Sequence, residues 1–436
     1  MTITKIISGW GGYPKQEAEL IKPSSHSDLK IEAKKQKSFI PRGMGRSYGD
    51  SASAQIVLET SYCDHVIEFD VDKGYLKAEA GITFREILNL IVPKGWFLPV
   101  TPGTSFVTLG GAIASDVHGK NHHNAGTFAQ HVKSMSVLLG NGDVIKASPA
   151  ENIDFFRATC GGMGLTGVII SATIQLIPIQ SSFINQKTIK ADCIEAACEA
   201  FENNSSANYS VAWIDCLARG KGLGRSVLML GEHAESDDLE LAIKDPISMP
   251  IYTPAALLNR ITMKAFNGAY WYKAKHNHLK KVSLMSYFYP LDAIGSWNKV
   301  YGRAGFLQYQ FVIPKADGIT NMRKLLAEIV ESGEQSFFAV LKQFGEANDN
   351  FLSFPISGYT LALDFKFSML TIKLLHRLDD MVKDMGGRVY LTKDAVMQET
   401  IFKATYPKWQ EFEDIRQKYG AIGKFSSAQS KRLGLQ

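Results

Sequence analysis

The chain has 436 residues, 45% hydrophobic and 21% charged, the make-up of a globular protein without low-complexity tracts and long enough for two or three domains. Its formal net charge of +5 is spread along the chain and argues against nucleic acid as a partner. Five cysteines with no CxxC pair suit a reducing compartment better than a disulfide framework.

The N-terminal MTITKIISGWGGYPKQEAEL lacks the basic-then-apolar layout of a signal peptide, and no run of about 18 apolar residues could span a membrane. The expectation is a soluble, cytoplasmic protein, at most peripheral on the inner face of the cytoplasmic membrane. FIPRGMGRSYGD, ending at Asp50, reads as a short strand and a glycine-rich loop. Gly43, Gly45 and Gly49 can turn backbone N–H groups toward an anion, although an ordinary tight turn would look the same. The spacing is GxGxxxG with no clear helix after it, so neither a Rossmann fingerprint nor a P-loop fits. HVIEFDVDKGYLKAEAG predicts a hairpin around Asp72-Lys73-Gly74. Thr83 and Glu86 form a capping-box pattern for a helix burying Ile87, Leu88, Leu90 and Ile91, stopped by Pro93 and Gly95.

Thr101–His123, TPGTSFVTLGGAIASDVHGKNHH, packs glycines with Asp116, His118, His122 and His123 into a run of little bulk. It suits either a flat cofactor pressed on main chain or a metal site. The hairpin of SMSVLLGNGDVIKAS turns at Asn141-Gly142. Ser148, Pro149 and Glu151 read as the cap of a helix over ENIDFFRAT. CGGMGLTG and the apolar strand VIISATIQLIPI follow. One large ligand touched by all three glycine-rich loops is the economical reading.

Around Pro178–Ser182 the pattern changes. A helix over Ala191–Glu202, strands at YSVAWID, SVLMLG, GFLQYQFVIP, SFFAVLKQFG and YTLALDFKF, and helices at MRKLLAEIVESG and LTIKLLHRLDDMVKDMGG predict an α+β layer, helices on one face of an antiparallel sheet. Residues 246–281 interrupt it, with exposed-looking Leu257, Leu258, Phe266 and Trp271 among Lys264, Lys273, Lys275, Lys280 and Lys281. This is either a packed surface excursion or a lid or membrane-surface contact.

PRGMGRSYGD, GGAIASDVHGKNHH, CGGMGLTG, YPLDAIGSWNKVYGRAGFLQYQF and VYLTKD, in that order along the whole chain, resemble the vanillyl-alcohol-oxidase-like flavoproteins. Within them the chain is similar to the decaprenylphosphoryl-β-D-ribose 2′-oxidases. The resemblance implies an α+β, two-domain fold of the vanillyl-alcohol-oxidase/PCMH type. Its FAD-binding domain would be built from residues 1–182 and 388–436, around an antiparallel-sheet substrate domain at 183–387. FAD would be lined by Arg42, Gly43, Met44, Gly45, Arg46, Ser47, Tyr48 and Gly49, then Gly103, Thr108, Leu109, Gly110, Gly111, Ser115, Asp116, Val117 and His118, with Ile170 and Tyr390 from elsewhere. Covalently flavinylated relatives often carry histidine just before the serine of the first loop. Arg46 stands there, which implies noncovalent FAD.

The implied reaction oxidises the 2′-hydroxyl of a polyprenyl-phosphoryl-β-D-ribofuranose to the 2′-keto sugar. It is the first half of an epimerisation to the arabinose form for cell-envelope glycan, completed by a separate NAD(P)H-dependent keto-reductase. Lys393 is the first candidate for the base, because burial can bring a lysine toward neutrality; His118 is its alternative or partner. Tyr48, Lys120, Trp213, Gln308, Gln310, Lys342, Phe344, Ala362 and Lys393 match positions lining the sugar and phosphate pocket, and Lys120 with Lys342 suits a phosphodiester. Mycobacterial members carry cysteine where Ala362 stands, so the pocket departs from theirs. The alternatives are an aldonolactone or alditol oxidase acting on a soluble sugar and a binding subunit that scaffolds a glycosyltransferase. A His118–His122–His123 metal site lacks an accompanying carboxylate or cysteine cluster, and no metal is expected.

Overall fold

β1 (Thr2–Ile7) and β2 (Gln16–Ile21) run antiparallel, and α1 (His26–Lys35) leads to β3 (Ile40–Arg42) and β4 (Ile56–Glu59), with β4 parallel to both β2 and β3. The computed structural model describes residues 2–236, 238–243, 245–253 and 259–435. The glycine-rich loop therefore leaves from the end of a parallel strand. β5 (Val66–Asp70) and β6 (Tyr75–Glu79) form the first predicted hairpin. Gly74 turns it at φ +68°, where a Cβ would lie 2.2 Å from the Trp96 ring, so only glycine serves.

α2 (Phe84–Ile91) has its predicted reciprocal cap, Thr83 N–H donating to Glu86 at 2.8 Å and Glu86 N–H to Thr83 Oγ1 at 3.3 Å. It buries Phe84, Ile87, Leu88 and Ile91. β7 (Trp96–Phe97), α3 (Leu109–Ala114) and α4 (His122–Ala125) precede the second hairpin, β8 (Val132–Leu138) and β9 (Val144–Ala147). α5 (Ile153–Thr159), β10 (Val168–Gln175) and β11 (Ile177–Pro178) follow. One prediction fails here. Ser148 Oγ accepts from Ala150 N–H and Glu151 N–H at 3.2 and 2.9 Å, closing a turn of its own. The helix starts beyond it, at Asn152, whose backbone is left-handed (φ +51°) and whose side chain does not cap. β5, β6, β10, β8 and β9 make one antiparallel sheet in that order.

β12 (Phe183–Ala191), α6 (Ile194–Glu202), β13 (Tyr209–Ile214), β14 (Ser226–His233), β15 (Ile247–Ser248), α7 (Arg260–Lys273) and β16 (His278–Ser283) open the second region. α8 (Leu284–Phe288), β17 (Ile294–Gly295), β18 (Phe306–Pro314), α9 (Gly318–Ser332), β19 (Ser336–Phe344), β20 (Gly358–Lys366), α10 (Met369–Asp384) and β21 (Arg388–Val389) continue it. Eight of these strands form one antiparallel sheet in the order β16-β12-β14-β13-β19-β20-β18-β21. Its two faces follow the period of two. Leu307, Tyr309 and Phe311 on β18 and Leu361, Leu363 and Phe365 on β20 are buried with Leu325 and Leu326 of α9 and Leu374, Leu375 and Leu378 of α10. The residues between them point the other way.

α11 (Glu399–Thr405), α12 (Trp409–Lys418) and α13 (Ala428–Arg432) return to the first half. Arg432 pairs with Asp50 at 2.6 Å and Asp394 at 2.9 Å, and the buried Arg416 donates to the Leu165 and Phe425 carbonyls, each at 3.0 Å. In the 246–281 stretch, Leu257 and Leu258 lie outside the described residues. Phe266 is half exposed, but Trp271 is buried against Trp213 and Val227, because the α7 face carrying Met263, Asn267 and Trp271 packs inward.

Candidate active site

A cavity of about 600 Å³ lies between the glycine-rich loops and the inner face of the eight-stranded sheet. At one end its wall is main chain. Gly43 backs onto Thr108, where a Cβ would meet Oγ1 at 2.4 Å, and Gly110 backs onto Ala80, where a Cβ would meet the alanine methyl at 2.9 Å. Thr108 caps α3 by accepting from Gly111 N–H at 3.1 Å, which holds the small-residue helix against the first loop. Tyr390 reaches across to donate to the Ser115 carbonyl at 2.8 Å.

The two arginines of the first loop part company. Arg42 donates to the Ser8 and Ala52 carbonyls at 2.7 and 2.9 Å and so braces the loop base. Arg46 stacks on Trp10 at 3.9 Å and Phe106 at 4.9 Å, with Nε buried and without a protein partner among the described residues. Bare backbone at Gly43, Gly103 and Gly110–Gly111, a cation with an unspent donor and a long slot between the loops together fit a flat dinucleotide carrying a pyrophosphate. Arg42–Tyr48, Gly103, Thr108, Gly110, Gly111, Ser115, Val117, His118 and Tyr390 all line the slot.

Four of the expected cofactor residues do not. A Cβ on Gly49 would sit 1.8 Å from the Asp394 carbonyl, so this residue packs on the Lys393 turn instead. Leu109 points into the core beneath α3. The Asp116 carboxylate is consumed by Asn348, Asn350 and Ser353 at 2.8, 2.9 and 2.7 Å and by Ala129 N–H at 3.2 Å. Ile170 packs on the small core around Phe39 and Phe425 while its carbonyl accepts from Ala80 N–H at 3.0 Å.

At the other end the wall is side chains from alternate positions of separate strands. Gln308 and Gln310 come from β18, Ala362 and Asp364 from β20, Val340 and Lys342 from β19, and Trp213 from β13. Cross-strand register pairs Gln308 with Asp364 and Gln310 with Ala362. Lys120, His118, Tyr48 and Lys393 close the space from the first half and the tail. Phe344 does not reach it; its ring packs behind His118 and His122 at 4.8 and 4.5 Å.

Charge in this space is expensive, and the groups respond to that. Burial pushes the Lys393 ammonium well down from the ordinary lysine value; Asp364 opposes this and Lys342 adds to it. Its Nζ lies 3.8 Å from the Tyr48 ring centre. Lys120 is pushed down to about 7 by burial and by Lys342, and burial pushes Lys342 down to about 8. His118 is held neutral by burial, then by Lys342, His122 and Lys393. The Gln310 amide donates to its Nε2 at 2.9 Å, and Nδ1 is buried without a partner among the described residues. His122 Nδ1 accepts from Gly345 N–H at 3.2 Å, and His123 Nε2 bonds the Ala207 carbonyl at 2.8 Å.

Asp364 is absent from the sequence-based candidates. It is buried, accepts from Gln308 at 2.5 Å and Tyr301 at 3.3 Å, and burial raises its pKa against the pull of Gln308 and Lys393. The signal for it lies in YTLALDF. A lone acid two residues from Ala362 shares that residue's face of the strand, as the alternating glutamines do in FLQYQF.

Comparison with known proteins shows what the chain is similar to. A family model described as an FAD binding domain matches residues 19–148. The decaprenylphosphoryl-β-D-ribose oxidase of Mycolicibacterium smegmatis is 35% identical over 454 aligned positions, covering 100% of this chain and 98% of that protein. An uncharacterized protein of Streptomyces coelicolor is 30% identical over 375 positions, 81% of this chain and 100% of that protein. Human Δ24-sterol reductase matches more locally, at 27% identity over 140 positions, 32% of this chain and 27% of that protein. The chain is thus an FAD-dependent oxidoreductase belonging to the decaprenylphosphoryl-β-D-ribose oxidase family.

Proposed function

We propose that the protein oxidises the 2′-hydroxyl of a polyprenyl-phosphoryl-β-D-ribofuranose to the 2′-ketone. The observation that carries this reading is the meeting of Lys393, Asp364, Gln308, Gln310 and His118 in one cavity with the FAD slot. FAD bound there supplies the two-electron acceptor for the hydride from C2′. Lys393, its pKa lowered by burial, is neutral often enough to accept the hydroxyl proton, and Asp364 keeps that amine basic enough to hold it. Neutral His118, oriented by Gln310, offers a hydrogen bond to the sugar hydroxyls. Lys120 and Lys342 become fully charged once a phosphodiester stands between them, since an anion reverses the cost of burying their charge.

Arg46 stands where covalently flavinylated relatives often carry histidine, which supports dissociable FAD. The ketone then requires a separate NAD(P)H-dependent keto-reductase to complete an epimerisation. No helix among the described residues is long and apolar enough to cross a membrane. Exposed Ile247, Ile251, Ile261, Tyr272 and Leu279 near Lys264, Lys273 and Lys280 support peripheral contact with a membrane carrying anionic head groups. The test is anaerobic mixing of the yellow protein with polyprenyl-phosphoryl ribose and, separately, with simple aldonolactones. Flavin bleaching by the lipid-linked sugar is the expected result; bleaching by the lactones alone would overturn the reading.

A further inference from the structure

The cavity continues well beyond the sugar-sized space around Lys393. It crosses the sheet from β18 through β20, β19, β13 and β14 to β12 and β16, where Gln186 and the exposed Lys280 form its far wall. Six interstrand steps of about 4.8 Å make this roughly 29 Å. Its chemistry changes along the way. On β18 and β20 the wall is Gln308, Gln310 and Asp364. Past Lys342 the wall-lining residues of β19, β13 and β14 include Val340, Trp213, Val211 and Met229.

α7 covers this apolar arm. Phe266 and Tyr270, one helical turn apart and so on one face, line the cavity, with Tyr270 4.6 Å from Trp213. The helix is pinned by its neighbouring face. Asn267 donates to the buried Asp215 at 2.7 Å, Arg225 pairs with the same carboxylate at 2.7 Å, and Trp271 is buried beside Trp213. A pinned helix with an aromatic underside is a built roof. Phe266 is also 50% exposed, so the roof of the arm reaches the protein surface.

We infer that this arm holds the first isoprene units of the substrate's lipid, and that Phe266 and Tyr270 set the preference for a long polyprenyl chain. The inference rests on the proposed oxidation of a polyprenyl-phosphoryl ribose and assigns a place to the part of that substrate that does not react. An apolar arm contiguous with a lysine-ringed sugar site matches an amphiphile in order: furanose at Lys393, phosphate at Lys120 and Lys342, hydrocarbon beyond. Burial of hydrocarbon there lowers KM with each added unit that fits, by the usual gain per buried methylene. It leaves the chemical step alone, because the binding is uniform between ground and transition states.

The experiment is a ladder of phosphoryl ribosides from a geranyl to a decaprenyl chain, in one detergent at fixed concentration, with the FAD-loaded full chain. KM should fall with chain length and level off, at constant kcat. The Phe266→Ala/Tyr270→Ala double variant should flatten the ladder, raising KM for the longest chain about tenfold or more. Phe266→Leu and Tyr270→Phe should keep most of the slope, which separates lost apolar area from lost folding. A wild-type ladder with no slope, or a slope untouched by the double variant, would overturn the lipid arm while leaving the oxidation reading intact. Failure of every member to bleach the flavin would instead remove the parent reading.

Discussion

Leu363 and Asp364 are consecutive residues of β20, and they serve opposite sides of the molecule. Leu363 is fully buried among α9 and α10, whereas Asp364 faces the cavity beside Gln308 and Lys393. The same division runs along β18 between Phe311 and Gln310 and along β19 between Leu341 and Lys342. One face of the sheet packs the core and the other lines the cavity. The apolar face lets the polar one stay costly, since buried amines and carboxylates held off their ordinary pKa values are a load that the opposite core must carry.

Substitutions on either face should break this division in different observables. The largest effect is expected for Lys393→Ala, a loss of about 10²–10⁴-fold in the rate of flavin reduction. FAD content should stay unchanged, as checked by stopped-flow bleaching and by flavin released on acid denaturation. Leu363→Ala should cost about 2–5 kcal/mol of unfolding free energy, read from denaturant midpoints, with reduction kinetics preserved in the fraction that remains folded. At the cofactor end, Gly110→Ala drives a methyl to 2.9 Å from the Ala80 methyl. Overpacking of about 1–3 kcal/mol should appear as weaker FAD retention in ultrafiltration.

Acid should act on the polar face first. His118 and His122 are held neutral in the fold, His122 at about 3, while in the unfolded chain they titrate near the usual histidine value of about 6.5. Between those limits the unfolded state binds more protons, so unfolding free energy falls as pH drops below about 6.5 and rises with pH through the same window. Replacing His122 with Gln should flatten that part of the pH–stability curve. The smallest effect is a shift rather than a loss. Asp364 raises the Lys393 pKa, so Asp364→Asn should move the acid limb of the rate–pH profile to lower pH. An unmoved limb would separate Asp364 from the base.

Legibility divides along the same line as function. Gly74, Gly142 and the Thr83–Glu86 pair announce their elements because a turn or a cap is made by residues adjacent in the chain. The glycine loops are legible for the same reason, since a main-chain wall is written locally, while the likeness to known flavoproteins rides on GGAIASDVHGKNHH, YPLDAIGSWNKVYGRAGFLQYQF and VYLTKD. Ser148 misled because a serine oxygen caps a turn as readily as a helix. Asp116 and Phe344 sit beside true wall residues in sequence, yet their side chains leave in other directions, to Asn348 and to the back of His118.

Local backbone chemistry and the period of two in the strands were therefore enough to predict most of the elements and the α+β class, while the flavin followed from the resemblance to a known family. Which buried charges meet was set by strand order and cross-strand register. Those bring Asp364 beside Gln308, Lys342 into the field of Lys393, and Trp213 under α7. Charge coupling depends on distance and desolvation in three dimensions, and neither is a property of sequence spacing. The Thr101–His123 run shows both sides. Its glycines could be read as the floor of a cofactor site, but His118 lines the cavity only because β18 folds over it and spends Gln310 on its ring.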